Sequence, residues 1–132
     1  MRKVLPFAVF ALFLGLWTWK LLEPNPVPEP VTRGIPTDLK FWLAKALHMG
    51  GYAFLTLLAA WLPVRRPCFW GVVVFLGLHA AGSEIGQSYV PNRHGSPRDV
   101  VIDWAGIGMG LLLLKWWSIR LLPSSATPTH QA

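Results

Sequence analysis

Ionisable side chains interrupt the apolar runs of this sequence at three places, and the first of these is basic. Lys45, His48 and Tyr52 occupy positions i, i+3 and i+7 of a long apolar stretch, a spacing that puts all three on one face of a helix. Placing an ionisable group at membrane depth costs on the order of 2.5–3.5 kcal/mol even on the lenient insertion scale. Such residues are therefore expected only where they have a partner or a function.

The other two places are acidic, and a basic loop separates them. Glu84 and Gln87 are three residues apart near the end of one apolar run, and Asp99 and Asp103 are four apart at the start of the next. Arg93 lies in the loop between them. The spacing within each of the two pairs places both members on one helical face.

These residue types predict a polar pocket with two kinds of chemistry. Lys45 and Arg93 would bind an anionic group, whereas His48 and Glu84 would accept and donate protons. The alternative is an interhelical salt-bridge network of Glu84, Arg93 and Asp99 that only stabilises the fold. The sequence leaves both interpretations open.

Two further side chains and four glycines are interpreted as packing residues. Tyr52 is expected to be a buried hydrogen-bonded side chain in preference to a nucleophile, and His79 a hydrogen-bonded packing residue in preference to a proton relay. Glycines four residues apart let membrane helices approach closely. Two such pairs occur, and their faces are expected to meet: Gly82 with Gly86, and Gly106 with Gly110.

Composition indicates what kind of element carries these residues. Of the 132 residues, 53% are hydrophobic and only 14% are charged, which is more apolar surface than a soluble domain of this size can bury. Four runs with few charges have the length of about 20 residues that a helix needs to cross a ~30 Å hydrocarbon core. The sequence therefore predicts an all-α fold, a polytopic membrane bundle of four transmembrane helices.

The spans are expected at residues 4–22, 39–62, 69–90 and 100–122 of a single membrane domain, 1–122. The first is interpreted as a retained helix in preference to a signal peptide, since no small-residue cleavage site follows it. Alternate prolines in residues 23–38 remove backbone donors and predict an extended connection. Residues 123–132 are rich in Ser, Thr and Pro and are expected to form a disordered tail.

Four spans crossed in turn bring the polar residues to one membrane face. The second and fourth spans start at that face and the third ends there, so the pocket residues are predicted to lie at a similar depth. Basic residues divide evenly between the two faces, six and six, while all six acidic residues fall on the pocket side. This acidic excess is the difference between the two faces. Although acidic residues weigh little in orientation, it is the basis on which both termini are expected in the cytoplasm and the pocket at the outer leaflet.

Several function classes are disfavoured by the same composition. The twelve Lys and Arg residues are scattered in ones and twos beside apolar runs, as membrane flanks usually are, so nucleic acid is not an expected partner. Cys68 is the single cysteine, and without Cys/His zinc spacing neither a metal nor another cofactor is predicted. No Ser-His-Asp arrangement or phosphate loop occurs in a good motif context, so whether the protein is an enzyme stays open.

Taken together, the polar residues resemble the VanZ-like family of small bacterial membrane proteins. The family pattern is a basic residue, His and Tyr that open one helix, then E-x-x-Q, a Pro-x-Arg turn, an Asp, an Asn four residues later, and spaced glycines. The matching residues, over about residues 40–115, are Lys45, His48, Tyr52, Glu84, Gln87, Pro91, Arg93, Asp99, Asp103, Gly106 and Gly110. One position departs from the pattern, because Asp103 stands where the family often shows Asn.

The resemblance implies an envelope protein linked, through the founding member, to reduced susceptibility to the glycopeptide teicoplanin. The favoured function is a factor of the bacterial inner membrane that binds a membrane lipid headgroup, a cell-wall precursor or a glycopeptide-type amphiphile. A membrane enzyme acting on a lipid-linked phosphate or ester is one alternative. A small transporter or flippase subunit is another, although four helices offer little room for an alternating pathway.

Overall fold

Four long helices make up the described part of the chain. The computed structural model describes residues 4–24, 34–91 and 93–121, and these contain helices α1 (Val4–Leu22), α2 (Thr37–Trp61), α3 (Arg66–Gln87) and α4 (Pro97–Leu121). Each helix is long and apolar enough to cross a membrane. The predicted all-α bundle of four spans is therefore confirmed, and the protein is a multi-pass membrane protein.

Helix α1 has the predicted bounds, but the other three begin earlier than predicted. Helix α2 begins at Thr37, directly after Pro36, so Asp38 belongs to its first turn and not to the preceding connection. Helix α3 begins at Arg66 and α4 at Pro97. Proline is tolerated in a first helical turn because the backbone donor it lacks has no partner there.

Helix α3 also ends earlier than predicted, at Gln87 instead of residue 90. Residues 88–90 form a turn in which the Tyr89 amide donates to the Gly86 carbonyl and the Val90 amide to the Gln87 carbonyl. Pro91 follows this turn. The proline-rich stretch at residues 25–33, residue 122 and the predicted tail at 123–132 lie outside the described residues.

The helices run alternately up and down. Lys45 contacts Asp99 near the start of α2 and α4, and Gly110 packs on Thr56 further along both helices, so α2 and α4 are parallel. Helix α3 runs the opposite way, since Glu84 approaches His48 whereas His79, earlier on α3, lies beside Tyr52, further along α2. We call the end of the bundle where α1 and α3 finish and α2 and α4 begin the polar end.

The outer surface of the bundle is apolar, as a lipid-facing surface must be. Exposed large side chains occur on every helix, among them Leu12, Trp42, Leu78 and Leu112. A small apolar core lies between the helices and consists of Phe10, Leu21, Tyr52, Leu55, Ala59, Leu62, Leu76, Ala80 and Ile107. Because lipid chains are as apolar as these residues, close packing and polar contacts must hold the helices together.

The predicted meeting of the two glycine faces is wrong, although both glycines of the fourth span do pack closely against another helix. A methyl group on Gly106 would overlap the Met49 carbonyl, and one on Gly110 would lie 2.8 Å from the Ala53 carbonyl oxygen. These glycines therefore pack against α2 and not against the glycines of α3. A methyl group on Gly82 would meet open space, because this residue lies on a face of α3 that no other helix covers at that level.

Candidate functional site

Five ionisable side chains from three helices meet at the polar end. Helix α2 supplies Lys45 and His48, α3 supplies Glu84, and α4 supplies Asp99 and Asp103. We call these five residues the polar cluster. They meet because the close approach of α2 and α4 at Gly106 leaves no space for lipid between the two helices.

The outer part of the polar cluster is an ion pair. The Lys45 ammonium donates to the Asp99 Oδ1 carboxylate oxygen and also lies 5.0 Å from the centre of the Phe41 ring. The Lys45 side chain is 21% exposed and that of Asp99 is 10% exposed. This pair is thus the part of the cluster nearest to the surroundings of the protein.

The inner part joins a histidine to two carboxylates. His48 Nδ1 lies 3.0 Å from Asp103 Oδ1, at hydrogen-bonding distance, and 3.9 Å from Glu84 Oε1. Asp103 is fully buried, and its second carboxylate oxygen, Oδ2, has no hydrogen-bond partner in the described part of the chain. A buried carboxylate oxygen without a hydrogen-bond donor is costly, so Asp103 Oδ2 is an acceptor whose partner is missing from the described residues.

Backbone and amide donors orient Glu84. The Ser96 amide donates to Glu84 Oε2 at 2.8 Å, and Gln87 Nε2 donates to Oε1 at 3.2 Å. The loop can approach this closely because residue 95 is glycine, and a methyl group there would overlap the Glu84 carbonyl. Sequence reasoning had named Gln87 but had missed Ser96 and Gly95, whose roles depend on the loop folding back over α3.

Arg93 does not lie beside Lys45 as the predicted anion site required. Its Nη2 donates to the Leu21 carbonyl at 3.0 Å and to Gln87 Oε1 at 3.3 Å. Among the described residues it therefore reaches the polar cluster only through Gln87. Its guanidinium satisfies a carbonyl at the end of α1, where four carbonyls lack intrahelical partners, and so ties that helix to the loop.

Tyr52 belongs to a neighbouring chain of hydrogen bonds. Its hydroxyl lies 2.9 Å from His79 Nδ1 and 3.3 Å from the Ser83 hydroxyl. His79 Nε2 lies 2.9 Å from the Thr18 hydroxyl on α1. The hydrogen bonds predicted for Tyr52 and His79 are therefore present. Thr18 and Ser83 were missed, although an uncharged hydroxyl inside an apolar span is a weak signal of such a bond.

Trp17 separates the polar cluster from an apolar cavity. Its ring meets His48 and Tyr52 edge to face, with centroids 6.3 and 6.2 Å away. A cavity of about 180 Å³ lies between α1 and α2 and is lined by Phe13, Leu16, Trp17, Lys20, Gly51, Phe54 and Leu55. Its size fits part of one hydrocarbon chain.

Three members of the cluster form a set of ligands that a metal ion could use. His48, Glu84 and Asp103 each offer one ligand atom, and these atoms lie within 4.8 Å of one another. The sequence had predicted no metal because ligand spacing was sought along the chain, whereas these ligands come from three different helices.

Comparison with known protein families, curated proteins and solved structures finds no match to this chain. The resemblance to the VanZ-like family therefore stays a prediction from the order and spacing of the residues.

Proposed function

We propose that this protein is a VanZ-like envelope protein that binds the anionic headgroup of an amphiphile at Lys45. Its ligand would be an anionic membrane lipid, a lipid-linked cell-wall precursor or a glycopeptide-type amphiphile. The observation that carries the proposal is the Lys45–Asp99 pair, a partly exposed ion pair at the rim of a buried ionic cluster. A lysine ammonium has three N–H donors, so a phosphate or carboxylate can bind Lys45 beside Asp99 without breaking the ion pair.

The surroundings of Lys45 suit the boundary between headgroups and hydrocarbon. Phe41 and Trp42 precede it on α2 and are exposed, Trp42 by 67%. Aromatic rings are enriched at this boundary because they combine an apolar body with a polarisable or polar edge. A ligand bound at Lys45 would therefore have its polar group at the cluster and its apolar part along these rings.

The apolar cavity supports the same kind of ligand. Gly51 and Phe54 in its wall belong to α2, and Gly51 lies six residues beyond Lys45, or about 9 Å along the helix axis. The cavity thus lies deeper in the membrane than the headgroup position. A hydrocarbon chain extending from a headgroup at Lys45 can reach that depth.

The proposal predicts that neutralising the ion pair removes ligand binding. Lys45→Gln combined with Asp99→Asn keeps a polar contact but deletes the cation, and we expect bound anionic lipid to fall more than tenfold. The measurement is retention of radiolabelled phosphatidylglycerol, lipid-linked precursor or teicoplanin by purified protein in a neutral detergent, each in its own arm. Lys40→Gln, which removes an exposed lysine one turn earlier on the same helix, is the matched control.

Two results would contradict this proposal. One is that none of the three probes binds the wild-type protein above the level seen with a zwitterionic lipid. The other is that Lys40→Gln and the double variant lose binding equally, which would indicate only a general attraction between a basic protein and an anion.

A membrane enzyme is the second candidate, and the His48–Asp103 contact favours it. A carboxylate 3.0 Å from an imidazole nitrogen holds the ring in one tautomer and makes it a better general base. The same incubations distinguish the candidates, because an enzyme converts the radiolabelled lipid into a new product whereas a binder releases it unchanged. The substrate class in that case is a lipid-linked phosphate or ester.

We further propose that the protein lies in the bacterial inner membrane with both termini in the cytoplasm. In a Cys68→Ser background, His94→Cys should react with a membrane-impermeant maleimide on intact cells, whereas Arg65→Cys should react only after lysis. Both positions are exposed and lie at opposite ends of the bundle. The reverse labelling pattern would place the polar cluster at the cytoplasmic leaflet.

A further inference from the structure

The inner part of the polar cluster has the composition of a cation site. We propose that His48, Glu84 and Asp103 bind a divalent first-row transition-metal ion at the polar end of the bundle. Their ligand atoms lie within 4.8 Å of one another, and all three residues are buried. Ligands on one such ion, each about 2.1 Å from it, lie about 3.0–3.5 Å apart, so rotamer shifts of the side chains suffice to close the site.

Charge balance in the cluster favours a dication. The Lys45 ammonium and the Asp99 carboxylate neutralise each other, which leaves Glu84 and Asp103 beside a histidine. With His48 neutral, as a metal ligand must be, the two carboxylates in their ionised, metal-binding form carry two negative charges. A divalent ion would neutralise both, whereas an anionic ligand would add to the imbalance.

Asp103 supplies a second observation that points to a ligand here. It is fully buried, and its Oδ2 atom has no hydrogen-bond partner in the described residues. Buried carboxylate oxygens are otherwise almost always hydrogen-bonded. A metal ion is a partner that Oδ2 or Oδ1 can take without any donor from the protein.

The neighbours of the three residues orient them as the outer shell of a metal site does. Gln87 Nε2 and the Ser96 amide donate to the two oxygens of Glu84, which fixes the carboxylate plane. The Trp17 ring lies edge to face against His48 and limits its rotation. Such outer contacts orient metal ligands and are commonly worth 10–100-fold in affinity.

The donor atoms indicate which ions fit. One imidazole nitrogen and two carboxylates, with no thiolate, suit Zn²⁺, Mn²⁺, Fe²⁺ or Co²⁺ and not Cu⁺. Cys68, the single cysteine, is exposed at the start of α3, at the other end of the bundle. The ion would occupy the inner cluster while an amphiphile would bind Lys45 at its rim, so either proposal can fail without the other.

The test is metal binding by the purified full-length protein in a neutral detergent, without phospholipid. After treatment with a chelator, the protein is titrated with Co²⁺ as a spectroscopic probe and, separately, with Zn²⁺. We expect one equivalent of either metal, visible d–d absorption from Co²⁺, and a higher melting temperature. His48→Gln, Glu84→Gln and Asp103→Asn should each weaken binding by more than about tenfold, since outer-shell changes alone have effects of that size.

Asp38→Asn is the matched control, because Asp38 is an exposed acidic residue in the first turn of α2. It should leave the titration unchanged. The proposal is overturned if the chelator-treated wild-type protein binds no Co²⁺ or Zn²⁺ at micromolar concentration, or if the three cluster variants bind as the wild type does. If a variant does not fold, pulsed EPR of Mn²⁺ bound to the wild-type protein serves instead. A hyperfine coupling between Mn²⁺ and the imidazole nitrogen of His48 supports the proposal, and its absence overturns it.

Discussion

Replacing Gly106 with alanine should destabilise the bundle by about 1–3 kcal/mol, the usual cost of overpacking a tight contact. The added methyl group would overlap the Met49 carbonyl oxygen and lie 3.0 Å from the Met49 carbonyl carbon and Cα. Because the obstacle is backbone, it cannot move aside as a flexible side chain can. Helices α2 and α4 must then separate, and the contacts of Lys45 with Asp99 and of His48 with Asp103 lengthen with them.

Gly108→Ala is the matched control for this prediction. Gly108 lies two residues further along the same helix, and a methyl group there meets open space. The free energy of unfolding, measured by denaturation of the purified protein in detergent micelles, should fall for Gly106→Ala. For Gly108→Ala it should stay unchanged or rise by up to about 1 kcal/mol, because alanine is favoured over glycine inside a helix. Equal stability of the two variants would mean that α2 and α4 do not pack closely at this point.

Removing the Lys45 cation alone should destabilise the protein by about 1–3 kcal/mol, the usual cost of leaving a desolvated polar partner unsatisfied. Lys45→Met leaves the Asp99 side chain, which is only 10% exposed, without its partner. Asp99→Leu should have a similar effect, since it leaves the ammonium unpaired. The double variant should recover most of the loss, because neither charge then remains to be solvated.

A double-mutant cycle measures this effect. The free energies of unfolding of the wild type, the two single variants and the double variant give a coupling energy, which we expect to exceed about 1 kcal/mol. The same four measurements are repeated on Lys20, in the last turn of α1, and Glu23, directly after that helix, a pair with a contact distance of 2.5 Å and larger exposure. Exposed pairs usually contribute less than about 1 kcal/mol, so equal coupling of both pairs would mean that the lower exposure of the Lys45–Asp99 pair does not strengthen it.

The cycle also bears on the two interpretations that the sequence left open. A network that only stabilises the bundle predicts large coupling together with unchanged behaviour towards lipids and metal ions. A binding site predicts that the double variant recovers its stability but not its binding of the ligand, because it keeps the fold and lacks the Lys45 cation. Asp103 is buried and one of its carboxylate oxygens has no hydrogen-bond partner among the described residues. This favours a binding site, since a purely stabilising network would satisfy both oxygens.

Much of the fold could be predicted from the sequence because hydrophobic length and chain direction constrain a membrane protein strongly. Each apolar run is long enough for one crossing, and α1 has the predicted bounds. The predicted starts of α3 and α4, at residues 69 and 100, are wrong by three residues because Pro67 and Pro97 occupy the first turns of these helices. Alternating direction then predicts that His48, Glu84 and Asp103 lie at a similar depth.

The number of spans, their approximate bounds and the gathering of the ionisable residues at one end of the bundle thus follow from the amino-acid sequence. Only the tertiary structure decided that Asp99 pairs with Lys45, that Asp103 lies beside His48, and that Arg93 instead binds the carbonyl of Leu21. The physical reason is that helical periodicity defines a face but leaves the rotation of each helix about its axis open. That rotation is set by close contacts such as Gly106 on Met49, which depend on the shapes of two helices together.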